Sequence, residues 1–303
     1  MKNQAVYEDI TERERLQVQN ALLSEYEAPI LSEIFSGKKE LYVLDIGCSD
    51  GEKTVSRFSD DAVSSAVGIE YNIASVRRAN DKFGGGKFTF YCCDAETDEM
   101  NRLLSKLTRR DRSAPDGRGE NFRGFDLIYM SFVLMHLRDG KALLSRLKPY
   151  LADGGTLFII DADDGMSTLS LDDGGLLPEF LSMLSEDCYG GKRDSGRIIP
   201  DLLAECGYTD ITEKCGGVFA GRGSENKKKK EAIFRTYFSF LPEDVDILLR
   251  DEKSGKDEKE KYESWKSWLD VNYRKLHREI VSDESEIFMG TRMITCRKDG
   301  SVK

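Results

Sequence analysis

The sequence predicts an α/β fold: a doubly wound, largely parallel sheet of seven strands, preceded by a helix and interrupted by a helical insert before the last strand. Three observations predict it. Short apolar runs rich in β-formers alternate with stretches of helical periodicity through the first half of the chain. Most of these runs close on a polar residue or a glycine turn, as in sheets whose ligands sit at the carboxyl ends of the strands. Finally, 303 residues, 39% hydrophobic and 10% aromatic, suffice for one large domain with an accessory element.

Residues 11–36 read as the first helix. Thr11 with Glu14 makes a capping box, Leu16, Leu23, Ile30 and Ile34 share one face, Gly37 stops the run, and Pro29 is expected to kink or split it. The first strand, 41–46, leads through the turn Gly47-Cys-Ser-Asp-Gly51 into a helix ending near Phe58. A second strand, 66–69, closes on Glu70, and a helix follows with Ile73 and Val76 on its apolar face. The third strand, 87–93, closes on Asp94 and precedes a helix lined by Met100, Leu103, Leu104 and Leu107. A polar loop, 109–124, separates that helix from a fourth strand at 125–130; a helix at 142–151 and a fifth strand at 155–160 follow. Helices at 176–184 and 198–206, a strand at 209–213, a charge-dense helical stretch at 226–280 and a final strand at 288–297 complete the chain.

Composition narrows the function. Lys and Arg number 45 against 55 Asp and Glu, and the net charge of −10 repels phosphate backbones, so nucleic acid is not the expected partner. No apolar run reaches the roughly 18 residues of a membrane span, and MKNQAVYEDI lacks the apolar stretch of a signal peptide, so a soluble cytoplasmic protein is expected. Seven scattered cysteines without a CxxC read as reduced thiols, and with only two histidines, His136 and His277, a zinc site would need an unusual mixture of ligands from distant segments, so no metal is expected. Oligomeric state is left open.

The turn after the first strand carries the chemistry. Its glycines let the backbone approach a ligand while the helix N-terminus offers unpaired N–H groups. The dinucleotide pattern G-x-G-x-x-G needs glycine at 47, 49 and 52, where the sequence has Gly47, Ser49 and Glu52; an acid beside a pyrophosphate fits poorly. The pattern acid-x-Gly-x-Gly-x-Gly finds Asp45, Gly47, Ser49 and Gly51, with one glycine replaced by a small residue.

On these residues the chain resembles the class I S-adenosylmethionine (SAM)-dependent methyltransferases, with their Rossmann-like sheet. The similarity spans roughly residues 12–215 and rests on five weak motifs in correct order. Glu70 looks like the acid that holds both ribose hydroxyls, and Asp94 with Ala95 like the acid that receives the adenine amino group. Phe125-Asp-Leu-Ile-Tyr-Met-Ser131 with Leu134-Met-His136-Leu is similar to the fourth strand and its turn, and Leu147-Lys-Pro…Gly154-Gly155 to the turn before the fifth. Arg15-Leu-Gln-Val-Gln19 resembles the R-L-x-x-Q of small-molecule methyltransferases, whose N-terminal helix folds over the cofactor, and Gly196-Arg197 with Gly207-Tyr208 resembles a further segment of such enzymes. The resemblance implies SAM as cofactor, held by Asp45, Gly47, Cys48, Ser49, Gly51, Glu70, Tyr71, Asp94, Ala95 and Ser131, with Arg15 and Gln19 from the lid.

It further implies methyl transfer to an O, N or C nucleophile of a small molecule, the alternative being a SAM-binding sensor or assembly subunit without turnover. Because a sulfonium methyl is already activated, positioning can supply much of the catalysis. Where a base is needed, His136 is the candidate, weighed against a packed histidine. Asp161, Asp163 and Asp164 read as a solvated acidic loop or an attractor for an amine, Trp265 and Trp268 as core of the insert or a stacking platform, and the arginines of 109–123 as a loop or an acidic-partner patch. The expected division is a lid at 1–37, a SAM-binding core at 38–225, a helical insert at 226–285 and the last strand with its tail at 286–303.

Overall fold

The computed structural model describes residues 10–108, 123–251 and 254–298. Its strands are β1 (Leu41–Ile46), β2 (Val63–Glu70), β3 (Phe88–Cys92), β4 (Phe125–Ser131), β5 (Leu151–Ala162), β6 (Thr168–Leu169), β7 (Thr209–Ala220) and β8 (Ile287–Arg297). Its helices are α1 (Ile10–Phe35), α2 (Glu52–Phe58), α3 (Ile73–Phe83), α4 (Asp98–Leu107), α5 (Gly140–Leu147), α6 (Leu176–Glu186), α7 (Ser195–Glu205), α8 (Lys227–Tyr237), α9 (Leu241–Arg250) and α10 (Lys256–Val281). Among the described residues none of these helices is long and apolar enough to cross a membrane.

The seven expected strands are present, and two-residue β6 is an eighth. Strands run in the order β3-β2-β1-β4-β5-β8, with β7 on the far side of β8 and β6 against its first residues. From β3 to β5 neighbours are parallel, whereas β8 is antiparallel to both β5 and β7. The order reverses between β1 and β4, which opens the ligand crevice of a doubly wound sheet at their carboxyl ends.

Alternation of side chains along β4 divides the core. Ile128 and Met130 meet Leu104, Leu144 and Leu203 from α4, α5 and α7, while Leu127 and Tyr129 meet Ile30, Ile34 and Phe58 from α1 and α2. Covered on both faces, β4 is apolar almost throughout. A third core joins α6, α8, α9 and α10 to Leu22 and Leu23 of α1 and to the adjoining ends of β7 and β8; Trp265 is buried in it and Trp268 packs against it. Since β7 runs parallel to β5 through their shared antiparallel partner, the insert between β7 and β8 leaves and re-enters the sheet at its carboxyl edge.

Three local expectations need correction. The chain is already helical at Ile10, so Thr11 is not the cap; its side chain lies outside the described residues, and Glu14 accepts instead from Arg235. The helix runs unbroken through Pro29. The helix expected to reach Leu151 stops at Leu147, a 3₁₀ turn around Pro149 follows, and β5 starts at Leu151 because that residue pairs with Phe125 ahead of a register shift.

Candidate active site

The turn between β1 and α2 is shaped by close packing. Gly47 and Gly51 have φ of 76° and 79°, and a Cβ would stand 2.5 Å from Val133 Cγ2 at Gly47 and 2.8 Å from the Phe90 ring at Gly51. Ser49, where the methyltransferase pattern has its middle glycine, also has φ 50°. A left-handed backbone costs an L-residue about 1–2 kcal/mol, which is why glycine suits this position. Cys48 is buried, its side chain packed with Val76, Ala79 and Phe90 beneath the turn. Asp45 is 2% exposed and accepts from Thr54 Oγ1 at 2.6 Å, tying the end of β1 to α2. Burial pushes its carboxyl up to about 7.

Glu70 closes the other side of the crevice. Its Oε2 accepts from the Ser49 N–H at 3.1 Å and its Oε1 from the Asn72 N–H at 3.0 Å, so two backbone donors fix the carboxylate against the glycine turn. Asp94 follows Cys93, whose N–H donates to the Glu70 carbonyl at 2.9 Å, and the two acids therefore sit at adjacent strand ends. The half-buried Asp94 accepts from the Glu96 N–H at 2.9 Å. Half-buried Tyr71 and Ala95 flank the acids; their carbonyls accept from Cys92 and Arg146.

Beneath Ser131 lies a charge network absent from the sequence reading. Lys53 Nζ donates to Ser131 Oγ at 2.5 Å and pairs with Glu27 Oε1 at 3.0 Å. Glu27, with a fully buried side chain, also receives Arg57 Nε at 2.7 Å and the Tyr129 hydroxyl at 2.9 Å. Burial pushes Glu27 up, yet the charges of Lys53 and Arg57 outweigh it and hold the carboxyl below its ordinary value. The readable signal was a charge at 27 on the stripe Leu23, Ile30 and Ile34.

Helix α1 is strapped to α8 at two points. Arg15 donates from Nη1 to the Thr236 carbonyl at 3.0 Å, pairs with Glu12 at 2.6 Å and lies over the Phe240 ring; Glu25 pairs with Lys229 at 2.6 Å. Gln19 is half-buried on the same helix.

Beyond β4 and β5 the acidic cluster is buried and paired, which corrects the expectation of a solvated loop. Asp161 is fully buried, pushed up to about 6 by desolvation, and accepts from the Met135 N–H at 3.1 Å, holding the turn after β4. Asp163, also fully buried, bridges Arg197 at 3.0 Å and Arg292 at 2.6 Å. Asp164 pairs with Arg193 through contacts of 2.7 and 3.0 Å. That turn carries His136, which is exposed and lies beside Gly191. Phe132, directly after Ser131, has φ 55° and packs against both the insert core and the α1 face of the sheet. Neither its backbone nor its position signalled this in the sequence. Of the arginine-rich loop, Arg109, Arg110, Arg112 and Arg118 lie outside the described residues.

The glycine turn, Glu70, Asp94 and Ser131 thus lie at the switch point of the sheet. Residues 17–198, more than half of the chain, match the family described as "Methyltransferase domain". The fold is similar to that of the YcgJ protein from Bacillus subtilis (12% identity, 91% of this chain and 100% of that one, TM-score 0.52). Similarity extends to a putative methyltransferase from Bacillus halodurans (14%, 90% and 99%, 0.49) and to Haemonchus contortus phosphoethanolamine N-methyltransferase 2 in complex with SAM (18%, 91% and 52%, 0.46). No curated protein matches the sequence. The chain belongs to the methyltransferase-domain family and is a class I SAM-dependent methyltransferase. Its cofactor is SAM, and the donor set fits: carboxylates at 70 and 94 suit a cationic cofactor carrying ribose hydroxyls and an adenine amino group, and they disfavour a pyrophosphate.

Proposed function

We propose that this enzyme transfers the SAM methyl group to an O, N or C nucleophile of a small molecule, bound between the carboxyl ends of β4 and β5 and the helical insert. One observation carries the reading. The insert joins the sheet at its carboxyl edge, where Phe132, next to the cofactor residue Ser131, packs between the insert core and the sheet core. An enclosure of this kind suits a small acceptor better than a polymer.

Asp45, Gly47, Cys48, Ser49, Gly51, Glu70, Tyr71, Asp94, Ala95 and Ser131 form the cofactor side, Glu70 taking the ribose hydroxyls and Asp94 the adenine amino group. Bound SAM supplies an activated methyl for in-line displacement. The chain's own contribution is positioning and exclusion of water. Lys53 keeps Ser131 in place, and Glu27 keeps Lys53 in place. Arg15 and Gln19 cover the crevice as a lid held against α8 by the Arg15–Thr236 and Glu25–Lys229 contacts. For a hydroxyl or ammonium acceptor, His136 removes the proton. The enzyme works in the cytoplasm, a location supported by seven free cysteines, and its net charge of −10 argues against nucleic acid as substrate.

The test is incubation of the protein with isotopically methyl-labelled SAM and a metabolite extract, read by mass spectrometry. A labelled small molecule is expected. SAM binding in calorimetry without label in any metabolite points to a sensor or assembly subunit and rejects transfer.

A further inference from the structure

Lys53 is the second residue of α2, which begins directly behind the glycine turn, and its side chain reaches across to the carboxyl end of β4. There, at the switch point of the sheet, the side chain is only 14% exposed. One N–H goes to Ser131 Oγ at 2.5 Å, and the ammonium faces Glu27 Oε1 at 3.0 Å. An ammonium has three donors, and among the described residues Lys53 makes no third such contact.

Charge at this spot does not balance. Glu27 carries one negative charge for two cations, Lys53 and Arg57. Arg57 is engaged elsewhere as well, with Nε on Glu27 at 2.7 Å and Nη2 on the Asn20 carbonyl at 2.6 Å, so the surplus falls on Lys53. A second carboxyl, Asp45, acts on Lys53, yet burial pushes it up to about 7 and leaves it only partly ionised near neutral pH. A poorly hydrated charge without a full counter-charge is costly, and desolvation draws the Lys53 ammonium below its ordinary value. An anion arriving beside Ser131 removes the imbalance.

SAM carries one anionic group, the α-carboxylate of its amino-acid end. The strand order β3-β2-β1-β4 follows the order of the molecule's own parts. Adenine belongs at Asp94 after β3 and ribose at Glu70 on β2, so the amino-acid end passes the glycine turn of β1 toward β4. Glu70 and Asp94 repel a carboxylate, whereas Lys53 attracts it.

We propose that Lys53 is a cofactor-binding residue whose ammonium donates to the α-carboxylate of SAM. This rests on Ser131 facing the cofactor, as in the reading above. Holding Ser131 and holding the carboxylate use different N–H donors of the same ammonium.

The experiment is calorimetry of wild type and Lys53→Met with SAM and with decarboxylated SAM, two ligands that differ by the carboxylate alone. The variant is expected to fold, because Glu27 keeps Arg57 and the Tyr129 hydroxyl. Wild type should bind decarboxylated SAM at least about tenfold more weakly than SAM, the scale of a hydrogen bond to a charged group. In Lys53→Met the two affinities should come within about threefold of each other, through a loss on the SAM side, as expected when both changes remove one shared interaction. Equal affinities in wild type overturn the proposal without recourse to any variant. So does a preference for SAM that survives Lys53→Met. If both ligands then bind more weakly by the same factor, Lys53 acts only through Ser131, whose place at the cofactor stands; if neither affinity moves, that place fails as well.

Discussion

Glu27→Leu is expected to be among the most damaging single changes on the sheet face that carries α1. The carboxylate neutralises Lys53 and Arg57, whose side chains are only 14% and 9% exposed, and it accepts the Tyr129 hydroxyl. Leucine leaves two cations with little access to water and no counter-charge; breaking a buried pair in this way costs about 3–5 kcal/mol, a large part of an ordinary total near 5–15 kcal/mol. Urea unfolding followed by circular dichroism measures it. The double variant Glu27→Leu with Lys53→Met should recover part of the loss by removing one stranded charge, although Ser131 then loses its donor and SAM binding weakens. Glu52→Gln supplies the contrast: its partner Lys82 is 60% exposed, and such pairs are worth about 0–1 kcal/mol. The same group sets a pH signature. Glu27 is held below its ordinary value in the fold, so its contribution is complete above about 4.5 and disappears as pH falls through the folded-state value. Wild type should therefore lose stability below that point more steeply than Glu27→Leu. A loss under about 1 kcal/mol for the single variant, against the expected range for a broken buried pair, would refute the reasoning.

Other outcomes follow from the crevice. Asp94→Ala should weaken SAM binding by about 1–3 kcal/mol in calorimetry, the scale of a lost hydrogen bond to a charged group, while NAD should not bind wild type. Ser49→Gly should raise the melting temperature or leave it unchanged, because relief of φ 50° offsets the entropy of an added glycine; a fall of several degrees argues that the serine side chain holds the turn. Asp45, pushed up to about 7, binds its proton more tightly folded than unfolded, so its contribution to stability declines as pH rises from about 3.8 to about 7 and is level beyond. Asp45→Asn should flatten that decline in unfolding free energies taken across the range; an unchanged slope assigns it to another group.

The alternation of runs between Leu41 and Ile160 was enough to place β1 to β5 and the crevice at their carboxyl ends, because strand periodicity and glycine turns are local properties of the chain. The ordered motifs at 45–51, 70 and 94 likewise carried the resemblance to SAM-dependent methyltransferases, to which the chain belongs. Tertiary structure alone decided what depends on partners far apart in sequence. Nothing near Asp163 shows that Arg197 and Arg292 enclose it, so an acidic cluster looks solvated until the fold closes. The start of β5 at Leu151 depends on its pairing with Phe125, against a helical periodicity that local reading extends too far. Lys53 looks like an exposed helix residue until α1 delivers Glu27 from 26 positions upstream. Hydrophobic period is written residue by residue, but the solvation of a charge is a property of the whole fold, and that is where the two readings part.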